Sequence, residues 1–238
     1  MAEFKNIGKT ILVKANKGGV GKSWITLQLA HKAALDGNKV MIITSDSQNN
    51  ILDFSGNSSL TPLGLHEWLT KANGGFTELR ENLFYIPFNS AMLPEELEVR
   101  FESFINMLKE EFNYIFIDST PVLNLDKKFI ELADEVIIPT FLDQVTMSSI
   151  TTLMEQIKPK SKVKVIIPNR AGRTKLEKEY YTLLKEIVTL APSIFLSVPV
   201  KQSSFISKAI DEGKTIWEYR AKEAKALQEL FLQVLEVL

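Results

Sequence analysis

The chain has 238 residues, 45% of them hydrophobic, with 28 Lys and Arg against 29 Asp and Glu and a net charge of -1. That length suits one α/β domain, taken as residues 1–238, and the near-neutral balance announces neither a nucleic-acid nor a membrane partner. The absence of cysteine excludes a disulfide framework, an iron–sulfur cluster and a thiolate zinc site, and agrees with a reducing cytoplasm.

The start, Met-Ala-Glu-Phe-Lys, runs almost directly into the first apolar segment, and no signal peptide is expected. No apolar run approaches the roughly 20 residues of a membrane span, so a cytoplasmic protein is expected. Residues 10–15 read as a strand and 24–35 as a helix, with Lys17-Gly18-Gly19-Val20-Gly21-Lys22-Ser23 between them. Three glycines let the backbone turn with its N–H groups inward, making an anion cradle at a helix N-terminus. Lys22 can reach the outer phosphates of a nucleotide, and the Ser23 hydroxyl can ligate Mg²⁺. Where the usual phosphate loop begins with glycine, this chain has Asn16 followed by a second lysine, Lys17.

Gly37 fits a helix C-cap before a strand over 40–44, which ends in Thr44-Ser45-Asp46-Ser47-Gln48-Asn49-Asn50. Residues 55–81 read as loops with one short helix. A strand over 83–88 follows, then a helix over 94–111 with Pro94 in its first turn. The strand 114–118 delivers Asp118, followed by Ser119-Thr120-Pro121. Asp118 can hold Mg²⁺ through a water while Ser23 ligates it directly. A strand over 135–139, a helix over 146–157 and a strand over 163–168 lead to Asn169-Arg170. A helix over 174–190, a strand over 194–198 and a helix over 221–238 complete the chain. Several strands are continuously apolar, as strands buried on both faces are. The alternation predicts an α/β fold: a doubly wound, mostly parallel central sheet with helices on both faces. Ligands of such sheets sit beyond the carboxyl ends of the strands.

These residues resemble the ParA/MinD family of ATPases, which are P-loop NTPases with a lysine at the second loop position. Asp46 to Asn50 resembles the family's Asp-Pro-Gln-Gly-Asn segment, and Ile117-Asp118-Ser119-Thr120-Pro121 its Ile-Asp-x-x-Pro segment. Ala133-Asp134-Glu135-Val136-Ile137-Ile138-Pro139 is similar to the strand that follows. The resemblance covers nearly the whole chain. Thr44 stands where many members have a further aspartate, and Ser47 replaces a common proline. The resemblance implies that ATP holds two subunits face to face. Lys17 would then act in trans on the partner's phosphates, Lys22 in cis, Ser23 and Asp118 on Mg²⁺, and Asp46 on the attacking water. Gly18, Gly19, Val20, Gly21, Lys22, Ser23 and Trp24 would form the nucleotide-binding segment, and Asn169 would recognise adenine. The Trp24 ring is expected to pack its helix on the sheet rather than stack on a base.

Within the family the resemblance is to short ParA partition proteins without an N-terminal helix-turn-helix domain. It implies segregation of plasmid or chromosomal DNA by an ATP-bound homodimer that binds DNA nonspecifically. Slow Mg²⁺-dependent hydrolysis would be stimulated by a small centromere-binding ParB-like partner, and DNA binding would make the protein nucleoid-associated. Nine cations between residues 158 and 185 face only Glu177 and Glu179 there, which favours DNA contact through Arg170, Arg173 and Lys175, extended by Lys201 and Lys208. The last helix is acidic where charged near its end, unlike a lipid-binding helix, so no membrane contact is expected. An ATP-dependent positioning switch for protein cargo or a membrane surface, without DNA, is the alternative, and a kinase or other transferase a third reading. His31 and His66 read as structural. Trp68, Trp217 and Tyr219 read as core or partner-contact residues.

Overall fold

The computed structural model describes residues 7–57, 61, 63–90, 97–120 and 123–238. Pro94 and Pro121, singled out above, lie outside the described residues, as does the N-terminal pentapeptide. The elements run in chain order β1 (Lys9–Val13), α1 (Lys22–Leu35), β2 (Val40–Thr44), α2 (Asn50–Phe54), α3 (Leu65–Lys71), β3 (Thr77–Arg80), β4 (Leu83–Ile86) and α4 (Glu98–Glu111). They continue with β5 (Tyr114–Asp118), α5 (Leu123–Leu132), β6 (Glu135–Thr140), α6 (Gln144–Gln156), β7 (Val163–Pro168), α7 (Lys175–Thr189), β8 (Phe195–Leu196), α8 (Ser204–Asp211) and α9 (Lys222–Leu235).

The strands form one sheet in the order β3-β4-β2-β5-β1-β6-β7-β8. Every neighbouring pair is parallel except β3–β4. The side-chain period of two divides β1 between two cores. Ile11 and Val13 join the core beneath α1 and α9, and Leu12 joins the core beneath α4, α5 and α6. Helices therefore cover both faces, as the continuously apolar strands require.

Strand β1 lies between β5 and β6, with Val13 in register with both Asp118 and Ile137. From β1 the chain passes over one face to β2; from β5 it passes over the other to β6. The winding reverses at the carboxyl ends of β1 and β5, where doubly wound sheets leave a ligand crevice.

The structure differs from the sequence reading in three respects. The stretch 55–81 holds, besides its one short helix, the edge strand β3, which buries only Leu79 and so gives little apolar signal. The strand expected over 194–198 narrows to two residues. Helices α2, α5 and α8 were not predicted; α8 is set by the Ser203 hydroxyl accepting from the Phe205 N–H at 3.1 Å. The last helix buries Phe231 and Val234 in the core. Among the described residues, no helix is long and apolar enough to cross a membrane.

Candidate nucleotide site

The glycine loop leaves β1 and enters α1 at Lys22, where the Ile25 N–H closes the first helical bond on the Gly21 carbonyl at 3.0 Å. Gly21 has φ 90, a left-handed conformation that side chains resist. A Cβ there would also lie 2.2 Å from the Asn169 amide nitrogen. No side chain caps this helix start and no acid occupies its first turn, so its positive end is left for an anion. Gly18 has nothing within 4 Å of where a Cβ would be, leaving the mouth of the loop open.

Behind the loop, the Asn169 amide donates to the Val20 carbonyl at 2.8 Å, while its oxygen accepts from the Arg170 N–H at 2.9 Å. Asn169 is thus placed against the loop, with both ends of its amide engaged. Trp24 is buried, with its ring edge-on to Phe231 of α9 at 5.7 Å, the packing role expected of it.

The carboxyl ends of β2 and β5 bring Asp46 and Asp118 to the same place. Asp118 is 3% exposed. Burial pushes its carboxyl up to about 6; the Ser23 hydroxyl bonded to it and the Lys22 charge oppose that push, and Asp46 adds to it. One Asp118 oxygen is buried without a hydrogen-bond partner. A buried carboxylate oxygen left unmatched, with a serine hydroxyl on its neighbour, fits a hard cation such as Mg²⁺. Among the described residues no cluster of three His, Cys, Asp or Glu could hold a metal by itself. The donor set is therefore one to be completed by phosphate oxygens and water.

Thr44, at the position of the family's further aspartate, has a role of its own. Its hydroxyl donates to the Asp118 carbonyl at 3.0 Å and accepts from the Asp46 N–H at 3.0 Å. Asp46 in turn accepts from the Gln48 N–H at 3.0 Å. Ser45 ties the same segment to Thr120, accepting from its N–H at 2.9 Å.

The two lysines of the loop differ in setting. Lys22 is 9% exposed, inside the site. Lys17 does not line the cavity; its side chain is 36% exposed, with its ammonium 3.2 Å from Asp143 and over the Phe141 ring.

A cavity of about 450 Å³ extends from Gly18 and Asp46 past Asn169 toward α8. Its outer wall includes Phe54, Gln202, Ser203 and Ile206, none of which the sequence singled out. Their only signal was proximity in sequence to strand ends. Arg170 and Lys201, expected to contact DNA, line this cavity too, brought together by the bridge between Ala171 and Lys201. Among the cations between residues 158 and 185, Lys175, Lys178 and Lys185 lie on α7, and the others are placed about β7. Lys158 to Lys164 lie toward its amino end, and Arg170, Arg173 and Lys175 beyond its carboxyl end. Lys175 pairs with Glu179 and Lys208 with Glu212, each at 3.7 Å.

His31 is a structural residue, as expected: it is buried on α1 with its ring 2.7 Å from the Thr215 hydroxyl. Trp217 donates to the Gln28 carbonyl at 2.7 Å, Trp68 packs on Phe104, and Tyr219 donates to Glu212 at 2.8 Å.

Residues 11–216 match the family model described as the CobQ/CobB/MinD/ParA nucleotide binding domain. The chain is similar to the chromosome-partitioning ATPase Soj of Treponema pallidum, 25% identical over 92% of this chain and 93% of that protein. Its fold is similar to that of a Cyanothece McdA variant in complex with ATP, with TM-score 0.79, 20% identity and coverage of 98% and 96% of the two chains. It is also similar to the septum site-determining protein MinD with Mg-ADP from Pyrococcus horikoshii, with TM-score 0.75, 20% identity and coverage of 95% and 96%.

Proposed function

The chain belongs to the CobQ/CobB/MinD/ParA nucleotide-binding family, and from that premise we propose that it is an Mg²⁺-dependent ATPase whose ATP-bound dimer serves DNA segregation. The observation that carries the reading is the contrast between Lys22, buried in the cavity, and Lys17, outside its lining with the side chain 36% exposed. A partly exposed lysine suits a charge delivered to another subunit; a buried one suits its own nucleotide.

In this reading Lys22 and the N–H groups of the loop bind the phosphates, and Asn169 keeps the loop in shape. Asp46 orients a water in line with the γ-phosphorus. The bond to the β–γ bridging oxygen breaks as the water oxygen attacks, giving ADP and inorganic phosphate. Mg²⁺, held by Ser23 and through water by Asp118, would neutralise charge on the β- and γ-phosphate oxygens. Lys17 of the partner would stabilise charge on the transferring group, so that dimerisation and hydrolysis report the same nucleotide state. The similarity to a chromosome-partitioning ATPase supports segregation as the process. A ParB-like partner and nonspecific DNA are the expected associates.

A second reading, a positioning switch without DNA, is favoured by Arg170 and Lys201 lining the nucleotide cavity and by Lys175 and Lys208 pairing with Glu179 and Glu212. Co-sedimentation with DNA in ATP and in ADP separates the two. Segregation requires ATP-dependent DNA binding that weakens steeply with salt; binding equal in both nucleotides, or absent, favours the switch.

A further inference from the structure

The Asp46 segment is fastened at both ends. On one side Thr44 and Ser45 fix it to the carboxyl end of β5. On the other stands Asn49, 7% exposed, where the family segment quoted above has glycine. Its φ of 49 lies in the left-handed region, which asparagine tolerates better than most side chains.

The Asn49 side chain makes four hydrogen bonds. Its oxygen accepts from the Phe88 N–H at 2.9 Å and from the Tyr85 hydroxyl at 2.8 Å. Its amide donates to the Phe88 carbonyl at 3.0 Å and to the Ser47 carbonyl at 3.1 Å. The amide group thus pairs with both backbone groups of Phe88, extending the hydrogen bonding just beyond β4. Burial, with the Asp118 and Asp46 carboxylates nearby, pushes the Tyr85 hydroxyl well above its ordinary value, so it stays protonated and donates.

Between these anchors only Ser47 and Gln48 are exposed. The Asn49 N–H donates to the Asp46 carbonyl at 3.0 Å, closing the turn that carries the carboxylate. Asn49 also precedes α2, whose Asn50 and Phe54 line the cavity.

We propose that Asn49 is a positioning residue for hydrolysis, locking the Asp46 turn to β4 so that the carboxylate is held at the cavity before nucleotide arrives. A glycine keeps the backbone conformation but leaves the turn tethered at one end. A carboxylate that must be oriented on binding contributes less to the reaction than one already in place. The phosphate cradle is built on β1 and α1 and does not depend on this lock.

The inference rests on the ATPase reading above, and the test separates the two. Steady-state turnover with ATP and Mg²⁺, and ADP affinity by calorimetry, are measured for the wild-type chain, Asn49→Gly and Tyr85→Phe. Expected for Asn49→Gly is a kcat lowered about tenfold or more with ADP affinity within about threefold of wild type. Tyr85→Phe, which removes a single hydroxyl, is expected to lower kcat by about threefold and decides the matter if the glycine variant does not fold. Wild-type turnover with kcat unchanged in the folded variants, or ADP affinity falling in step with kcat, overturns the positioning role alone. No turnover by the wild-type chain overturns the ATPase reading and this inference with it.

Discussion

The ammonium of Lys17 lies 3.2 Å from a carboxylate oxygen of Asp143 in its own chain, although its proposed target is a phosphate of another. The two side chains are 36% and 41% exposed, so the pair holds with no more than about 1 kcal/mol. Dimerisation has to break it. Asp143 also caps α6, accepting from the Thr146 N–H at 2.7 Å. Asp143→Ser keeps a capping oxygen and removes the charge. Because each of the two subunits breaks one such pair, the variant is expected to dimerise with ATP at a protein concentration up to about thirtyfold lower, read by sedimentation equilibrium. A weaker dimer would mean that Asp143 acts at the interface itself.

Lys22 is the buried phosphate ligand of the account. Lys22→Ala should weaken ATP and ADP binding about a hundredfold or more, measured by calorimetry on the folded, nucleotide-free protein. Retained ADP affinity would remove Lys22 from the site.

Asp118 is held in a setting poor for a charge. Its carboxyl titrates at about 6 instead of 3.8, so the folded state binds the proton more tightly than the unfolded chain. Stability on this account is greatest below pH 3.8 and declines as pH rises through 6. At neutral pH the ionised group costs about 3 kcal/mol. Asp118→Asn should therefore stabilise the nucleotide-free protein by about 1–3 kcal/mol at pH 7.5 in urea unfolding, while abolishing Mg²⁺-dependent turnover. A less stable variant would contradict the assignment.

His31 predicts the opposite pH trend. Burial pulls its pKa from 6.5 to about 4; Glu218 opposes this and Arg80 adds to it. A depressed histidine contributes stability that is complete above pH 6.5 and lost as pH falls toward 4. The loss amounts to about 3 kcal/mol. His31→Gln should flatten the difference in unfolding free energy between pH 7 and pH 4.5 relative to wild type. Parallel pH profiles for the two proteins would show that His31 does not titrate in this window.

The sheet was legible because its central strands are buried on both faces and read as unbroken apolar runs, such as Val-Met-Ile-Ile-Thr of β2. The glycine loop and the strand-end carboxylates were legible because a phosphate cradle needs those residue types at short spacing. The edge strand β3 was not, since Leu79 alone turns inward. Asn49 was invisible because its partners, Tyr85 and Phe88, are 36 and 39 residues away. The run of cations from 158 to 185 is contiguous in sequence, whereas the fold spreads it over β7 and α7.

The central claim is that Lys17 works in the other subunit. Light scattering and turnover of Lys17→Ala with ATP and Mg²⁺, beside calorimetric nucleotide affinity, test it most directly. The account predicts nucleotide affinity within about threefold of wild type, no ATP-induced dimer, and turnover reduced about a hundredfold or more. Wild-type turnover by a Lys17→Ala protein that still dimerises with ATP would contradict it.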